Sequence, residues 1–374
     1  MKGRETFFVS GVVFYLILSS FAYGYRPVVD LGTLGGNSSE APYINNNGQI
    51  VGNATTSSGA QRGCIFDPTG NGANTNLGVL GGNQSAAAAI NEKGQIVGMA
   101  TLSGYPPPLR ACLFDNTGHG ANKDLGTLGG SGSWANSINN NNKIVGWAND
   151  AAGNTRACLF DSTGGGNNAN LGSLGGEWSW AESINDNDQI VGGSYTYGNA
   201  GIFACLFDAT GGPIINLGNL GNDGSFAFSI NNNGQIVGYA YNRSGDNRAV
   251  LFDSTGGGDN IDLGTLAGYS SSFAEYINDN GQIVGEAMIN DYSSYHAVLF
   301  DPTGQGHNVD LNTLIDPSLG WKLSFAYGIN NNGWIVGKGI NPDGYEHAFL
   351  LTPEPATLLL LGLGGLTVLR KHRS

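Results

Sequence analysis

One phrase recurs seven times along this 374-residue chain: Ile-Asn, a short polar turn, then Gln, Lys or Trp followed by Ile-Val-Gly. It begins at Ile44, Ile90, Ile138, Ile184, Ile230, Ile277 and Ile329, in steps of 46, 48, 46, 46, 47 and 52 residues. A period in the forties marks a copied supersecondary unit that cannot bury its apolar face alone, so the copies must pack on one another.

Each copy carries four short apolar segments. In the third copy they are Ser133–Ile138, Ile144–Ala148, Ala157–Asp161 and Asn170–Leu174. They are bounded by Gly, Asn or Asp and are too short for amphipathic helices, which is the signature of strands. The turn between the first two is a hairpin signal, because Asn and Gly tolerate positive φ. The unit therefore reads as a four-stranded antiparallel meander, and such a unit repeated in the forties matches a β-propeller blade.

The phase of the repeat adds a sharper expectation. The fourth-strand motif starts at Leu31, Leu77, Leu125, Leu171, Leu217, Leu263 and Leu311, so its first copy precedes any first strand. The last third strand, His347–Leu351, has no fourth strand after it. A ring resolves both anomalies if Pro27–Leu34 completes the final blade. An open solenoid would leave its ends exposed and would not need the offset. The expected fold is all-β, a closed seven-bladed propeller over residues 25–352.

Register sorts many candidate chemical groups into scaffold. Ala41, Ala87, Ala135, Ala181, Ala227, Ala274 and Ala326 occupy one first-strand position, where small side chains suit the crowded axis. The Ile that opens each phrase should be core between blades. Cys64, Cys112, Cys158 and Cys205 share one third-strand position with Val250, Val298 and Phe349. Equivalent positions on adjacent blades lie on the order of 10 Å apart, beyond the ~7 Å Cα reach of a disulfide. These are expected to be buried thiols, and no Cys pair has zinc-site spacing. The Asp of Phe-Asp-x-Thr-Gly (Asp67, Asp115, Asp161, Asp208, Asp253, Asp301) reads as a turn cap. One acid per blade falls short of the six or more oxygens calcium takes. Asn278-Asp279-Asn280-Gly281 resembles part of a calcium loop but lacks its closing acid. His296 and His347 share a third-strand position held by Arg or Phe elsewhere, which suits an edge residue better than a catalytic base. Nucleophile-elbow, metalloprotease, Walker and dinucleotide signatures are missing from the sequence, so no catalytic residue, metal or cofactor is assigned.

The ends differ from the body. Residues 1–24 read as a secretory signal: Lys2 and Arg4, an apolar stretch from Phe7 to Phe21, and small residues at Ala22 and Gly24. An uncleaved anchor is the alternative. Pro353-Glu354-Pro355 leads into the uncharged stretch Ala356–Leu369 and the basic tail Arg370, Lys371, His372, Arg373. That order resembles the PEP-CTERM sorting signal. The resemblance implies a transient inner-membrane anchor through 356–369 with the repeats outside the cytoplasm, and processing by an exosortase after passage through the Sec translocon. Between the ends the chain holds 11 Lys/Arg and 27 Asp/Glu. Such a balance repels nucleic acid and anionic lipid.

The repeat, with Leu-Gly-x-Leu-Gly-Gly, Ile-Asn-x-x-Gly-Gln-Ile-Val-Gly and the terminal His347-Ala348-Phe349, resembles the HAF family of bacterial extracellular repeats. That resemblance implies an exported protein and transfers no catalytic residue; most copies end the third strand in Ala-Cys-Leu-Phe or a variant instead. What remains is chain-specific: Tyr105, Trp178, Trp180, Tyr195, Tyr197, Tyr241, Tyr292, Tyr295 and Trp321, expected in the loops of one propeller face with Glu177, Glu182, Asp246 and Asp291. Aromatic faces beside carboxylates suit sugar rings. Three functions stay open: a surface or matrix protein that binds extracellular polysaccharide or another envelope component, a polysaccharide-acting enzyme using loop carboxylates, and matrix filler with no ligand.

Overall fold

The chain is seen as a computed structural model that describes residues 28–289 and 294–353. Seven four-stranded antiparallel sheets are formed, each in simple meander order. The first consists of Gly35–Ile44, Ile50–Thr56, Gln61–Phe66 and Thr75–Asn76. The next five follow the same plan through residues 81–124, 129–170, 175–216, 221–264 and 271–310. The seventh takes Lys322–Ile329, Ile335–Ile340 and Glu346–Leu351 from the end of the chain and Val29–Asp30 from its beginning. Val29 opposes Leu350 and Asp30 opposes Phe349. This is the closed seven-bladed propeller, sealed by the N-terminal strand where the repeat phase required it. The expected N-terminal signal and C-terminal helix lie outside the described residues. Among the described residues, no helix is long and apolar enough to cross a membrane.

The core lies between blades. Ala89, Val97 and Ala111 of the second blade pack with Ala135, Ile138, Ile144 and Cys158 of the third, and the same pattern runs round the ring. Each opening Ile is nearly fully buried, worth roughly 1.5–3 kcal/mol per side chain. The seven repeated Ala are at most 1% exposed. All four cysteines are free and buried, and burial pushes the Cys64 and Cys205 thiols up to about 12. The repeated Asp caps its turn as expected: Asp161 Oδ1 accepts from the Thr163 N–H and hydroxyl at 2.9 and 2.7 Å.

The innermost strand is bulged. Its ladder with the second strand skips one residue just after the repeated Ala, for example between Ala181 and Ser183. The bulge drives the preceding carbonyl toward the glycine of Ile-Val-Gly. A Cβ on Gly192 would collide with the Trp180 carbonyl, and one on Gly238 with that of Phe226. That close approach, and not a turn, is why the phrase ends in glycine. A bulge re-aims a side chain, and here Pro42, Asn136, Glu182, Phe228, Glu275 and Tyr327, each next to the repeated Ala, line an axial cavity.

Candidate functional site: a plugged channel with two unlike mouths

The innermost strand of each blade ends at the Asn of Ile-Asn, so the seven Asn gather at one mouth of the axial channel. Each is 3–4% exposed. The side-chain amide of Asn45 donates to the Asn91 carbonyl at 3.0 Å, Asn91 to Asn139, Asn139 to Asn185, and so on until Asn330 donates back to Asn45 at 3.0 Å. The Oδ1 of each accepts from its own turn, as in Gln189 N to Asn185 at 2.9 Å. A second ring lies beside it. The backbone N–H of Asn46 donates to Glu92, Glu92 to Asn140, Asn140 to Asp186, Asp186 to Asn232, Asn232 to Asp279, Asp279 to Asn331, and Asn331 to Asn46. The turn Asp279, which resembled a calcium ligand in the sequence, is used here to accept the Asn232 N–H. The rim of this mouth, around a pocket of ≈ 80 Å³, is thus satisfied by its own polar groups.

One residue inward the axis is blocked. Tyr43 and Tyr276 meet with hydroxyls 2.7 Å apart and ring centroids at 5.2 Å, edge to face. They reach across the seventh blade, whose equivalent residue is Gly328. Burial pushes the Tyr43 phenol up to about 12 and that of Tyr276 further, so the plug stays neutral.

Beyond the plug lies a cavity of ≈ 150 Å³ lined by bulge residues, among them Asn136, Glu182, Phe228, Glu275 and Tyr327. Glu182 accepts from Asn136 Nδ2 at 2.9 Å. Burial, reinforced by the charge of Glu275, pushes the Glu182 carboxyl up to about 7. Glu275 hydrogen-bonds to Glu286 on the neighbouring strand; burial raises both above the usual carboxylate range, and the charge of Glu275 raises Glu286 further. Carboxyls held near neutrality in a cleft are suited to proton transfer or to charge recognition.

The other mouth is a funnel of aromatic rings. Trp178 packs on Tyr195 at 5.4 Å, Trp180 on Tyr195 at 6.1 Å and on Phe226 at 6.3 Å, Phe226 on Tyr239 at 6.4 Å, and Tyr239 on Phe273 at 5.1 Å. Tyr241 meets Tyr239 edge to face at 6.1 Å. Tyr295, Phe325 and Tyr327 continue the series, with Lys338 over Phe325 at 5.2 Å. The rim residues form one cross-strand pair per blade: Trp134 with Trp147, Trp180 with Gly193, Phe226 with Tyr239, Phe273 with Glu286, Phe325 with Lys338. In the first two blades the pairs are Glu40 with Asn53 and Ala86 with Met99. The aromatic wall therefore covers one side of the mouth. Gly193 leaves room for the Phe226 ring to lean in from the next blade.

The sequence-selected residues divide accordingly. Trp178, Trp180, Tyr195 and Tyr241 come together, but on strands (Gly175–Ile184, Ile190–Thr196, Ile236–Asn242) and not on loops. Glu177 and Glu182 lie on the same inner strand as Trp180, and Glu182 faces the lumen. Tyr197 is exposed on a short 3-10 turn, and Tyr105 is fully exposed on a hairpin of another blade. Trp321 is partly buried and packs on the core of the seventh blade. Tyr292 and Asp291 lie outside the described residues. His296 and His347 pair with Asp310 and Asp30 of the outer strands at 2.6 and 2.8 Å, as edge residues. Glu275, Glu286 and the tyrosine plug carry no repeat signal in the sequence, because their positions vary from copy to copy.

Residues 351–374 match the PEP-CTERM protein-sorting motif, so the C-terminus carries that signal. No curated protein sequence matches the chain. Among solved structures it is similar to TolB from Acinetobacter baumannii, with 15% identity over 69% of this chain and 63% of that one, at a TM-score of 0.42. The chain thus spans under two thirds of that relative's length. It is also similar to a gluconolactonase from Xanthomonas campestris, with 10% identity over 87% of this chain and 92% of that one, at a TM-score of 0.38. Neither likeness is close enough to carry an argument about activity.

Proposed function

We propose that the protein is exported, processed by an exosortase at its C-terminal signal and placed at the cell surface or in the extracellular matrix, where the propeller binds polysaccharide in its aromatic mouth. Residues 1–24 would serve as the signal peptide, 25–352 as the binding body and 353–374 as the sorting segment. The observation that carries the reading is the continuous run of rings from Trp178 through Tyr195, Trp180, Phe226 and Tyr239 to Phe273. Sugar rings stack on such faces and hydrogen-bond to nearby carboxylates and amides. Trp178, 39% exposed at the outer end of the run, is the natural first contact.

The Glu182 carboxyl near neutrality favours a second reading, an acid/base enzyme on the same polymer. A glycan array with the secreted protein, followed by chromatography of each bound polymer, separates the two. Binding with intact polymer sinks the enzyme reading. Shortened products that disappear with Glu182→Gln would replace the binder reading, and a blank array would leave a structural matrix protein.

A further inference from the structure

The lumen carboxyls sit deeper than any group needed to stack a sugar face. Among the described residues none of the ion pairs involves Glu182, Glu275 or Glu286. The nearby Lys338 is committed to Glu346 at 3.6 Å and to the Phe325 ring. Glu286 is only 7% exposed, and no N–H or hydroxyl donates to its buried Oε2. Glu286 also hydrogen-bonds to Glu275, and the acceptor left over is one that a positively charged N–H donor would satisfy.

The surroundings narrow what that is. No group of three His, Cys, Asp or Glu with metal-holding geometry occurs among the described residues, which argues against a bare metal ion. Phe228 and Tyr327 flank the carboxyls and the Tyr43–Tyr276 plug closes the inner end. Ring faces attract ammonium groups, more so when water is displaced. An organic ammonium supplies three N–H donors and packs on aromatic walls. The cavity of ≈ 150 Å³ holds such a group with room beside it.

We propose that the lumen recognises a protonated primary amine carried by the bound glycan, that is, an amino sugar without its acetyl group. This rests on the glycan reading above. The aromatic run takes the sugar faces while Glu182 and Glu275, which line the cavity, take the ammonium, and Glu286 is hydrogen-bonded to Glu275. An N-acetyl group removes the charge and leaves one N–H, so the acetylated sugar is disfavoured.

The test is calorimetric titration of the secreted protein, at physiological salt and pH 6.5, with a β-1,4-linked glucosamine tetramer and with its N-acetylated counterpart. The expected result is a preference of about tenfold or more for the free amine. Glu275→Gln and Glu182→Gln, near-isosteric and on different blades, should each erase that preference while thermal unfolding still shows a folded ring. Equal affinity for the two tetramers overturns the inference and leaves glycan binding standing. A preference that survives both variants also overturns it, since the net negative surface would then explain the attraction. Binding of other polysaccharides but neither tetramer sinks the inference alone; binding of no glycan at all sinks it together with the reading it rests on. Capture of oligolysine in place of either sugar, lost in the same variants, overturns the sugar assignment in favour of a protein amine.

Discussion

The two mouths of the channel are built from the same seven strands and could hardly differ more. At one, every blade presents the same Asn, and the amides hand hydrogen bonds round a closed circle. At the other, no two blades present the same cross-strand pair, and aromatic rings crowd one side while Glu40, Asn53, Ala86 and Met99 hold the other. Repetition satisfies a polar rim completely because each blade finds an identical neighbour to donate to. Variation leaves groups unsatisfied, and those groups are free to meet something else.

Four substitutions test that contrast. The largest effect belongs to the position both mouths depend on. Gly238→Ala drives a methyl into the Phe226 carbonyl, and urea denaturation should show a loss of about 3 kcal/mol or more. Next comes the repeated mouth. Asn185→Ala removes amide bonds to Gln189 and Asn231 and strands the buried groups they satisfied, for an expected loss of about 2–4 kcal/mol. A loss no greater than that of a surface residue would mean the circle is decoration.

The third effect has the opposite sign. The Glu182 carboxyl is raised from 4.5 to about 7 in the fold, so the native state prefers it protonated. Its favourable contribution is complete below the ordinary carboxylate range and is lost as pH rises through about 7. Glu182→Gln should therefore match the native protein near pH 4 and exceed it at pH 8 by roughly 1 kcal/mol, after discounting for the solvent that enters the lumen. Thermal melts at the two pH values check the crossover. The smallest stability effect is expected at the rim, where Trp178→Ala should stay within about 0.5 kcal/mol of the parent. The same change should weaken glycan affinity by about tenfold. A variant that binds normally would move the contact away from this end of the aromatic run.

These contrasts also show what could be read before the fold was seen. The period, the phase and the interchange of Cys64 with Val250 were enough to place strands, close the ring and bury the thiols. Those features repeat, and repetition is what a single sequence displays. The Asn of Ile-Asn was legible only as a turn residue, since nothing in one blade reveals that its amide reaches the next. The lumen was less legible still. Glu182 and Glu275 stand where other copies hold Pro, Ala, Asn, Phe or Tyr, and only the bulge after the repeated Ala turns that position toward the axis. Variation alone points to loops, whereas Trp180 and Tyr241 vary as parts of strands.

The clasp of the ring has a consequence for how such a protein is made. Asp30 and His347 touch at 2.8 Å but lie 317 residues apart in the chain. In an exported chain that emerges N-terminus first, Val29–Asp30 arrives outside early and finds no partner until Glu346–Leu351 follows. The sorting segment begins within a few residues of that last strand. In the export proposed above, completion of the circle would nearly coincide with arrival of the tail at the membrane. A propeller still anchored there would be one that has only just finished folding, and its release would act as a receipt for closure.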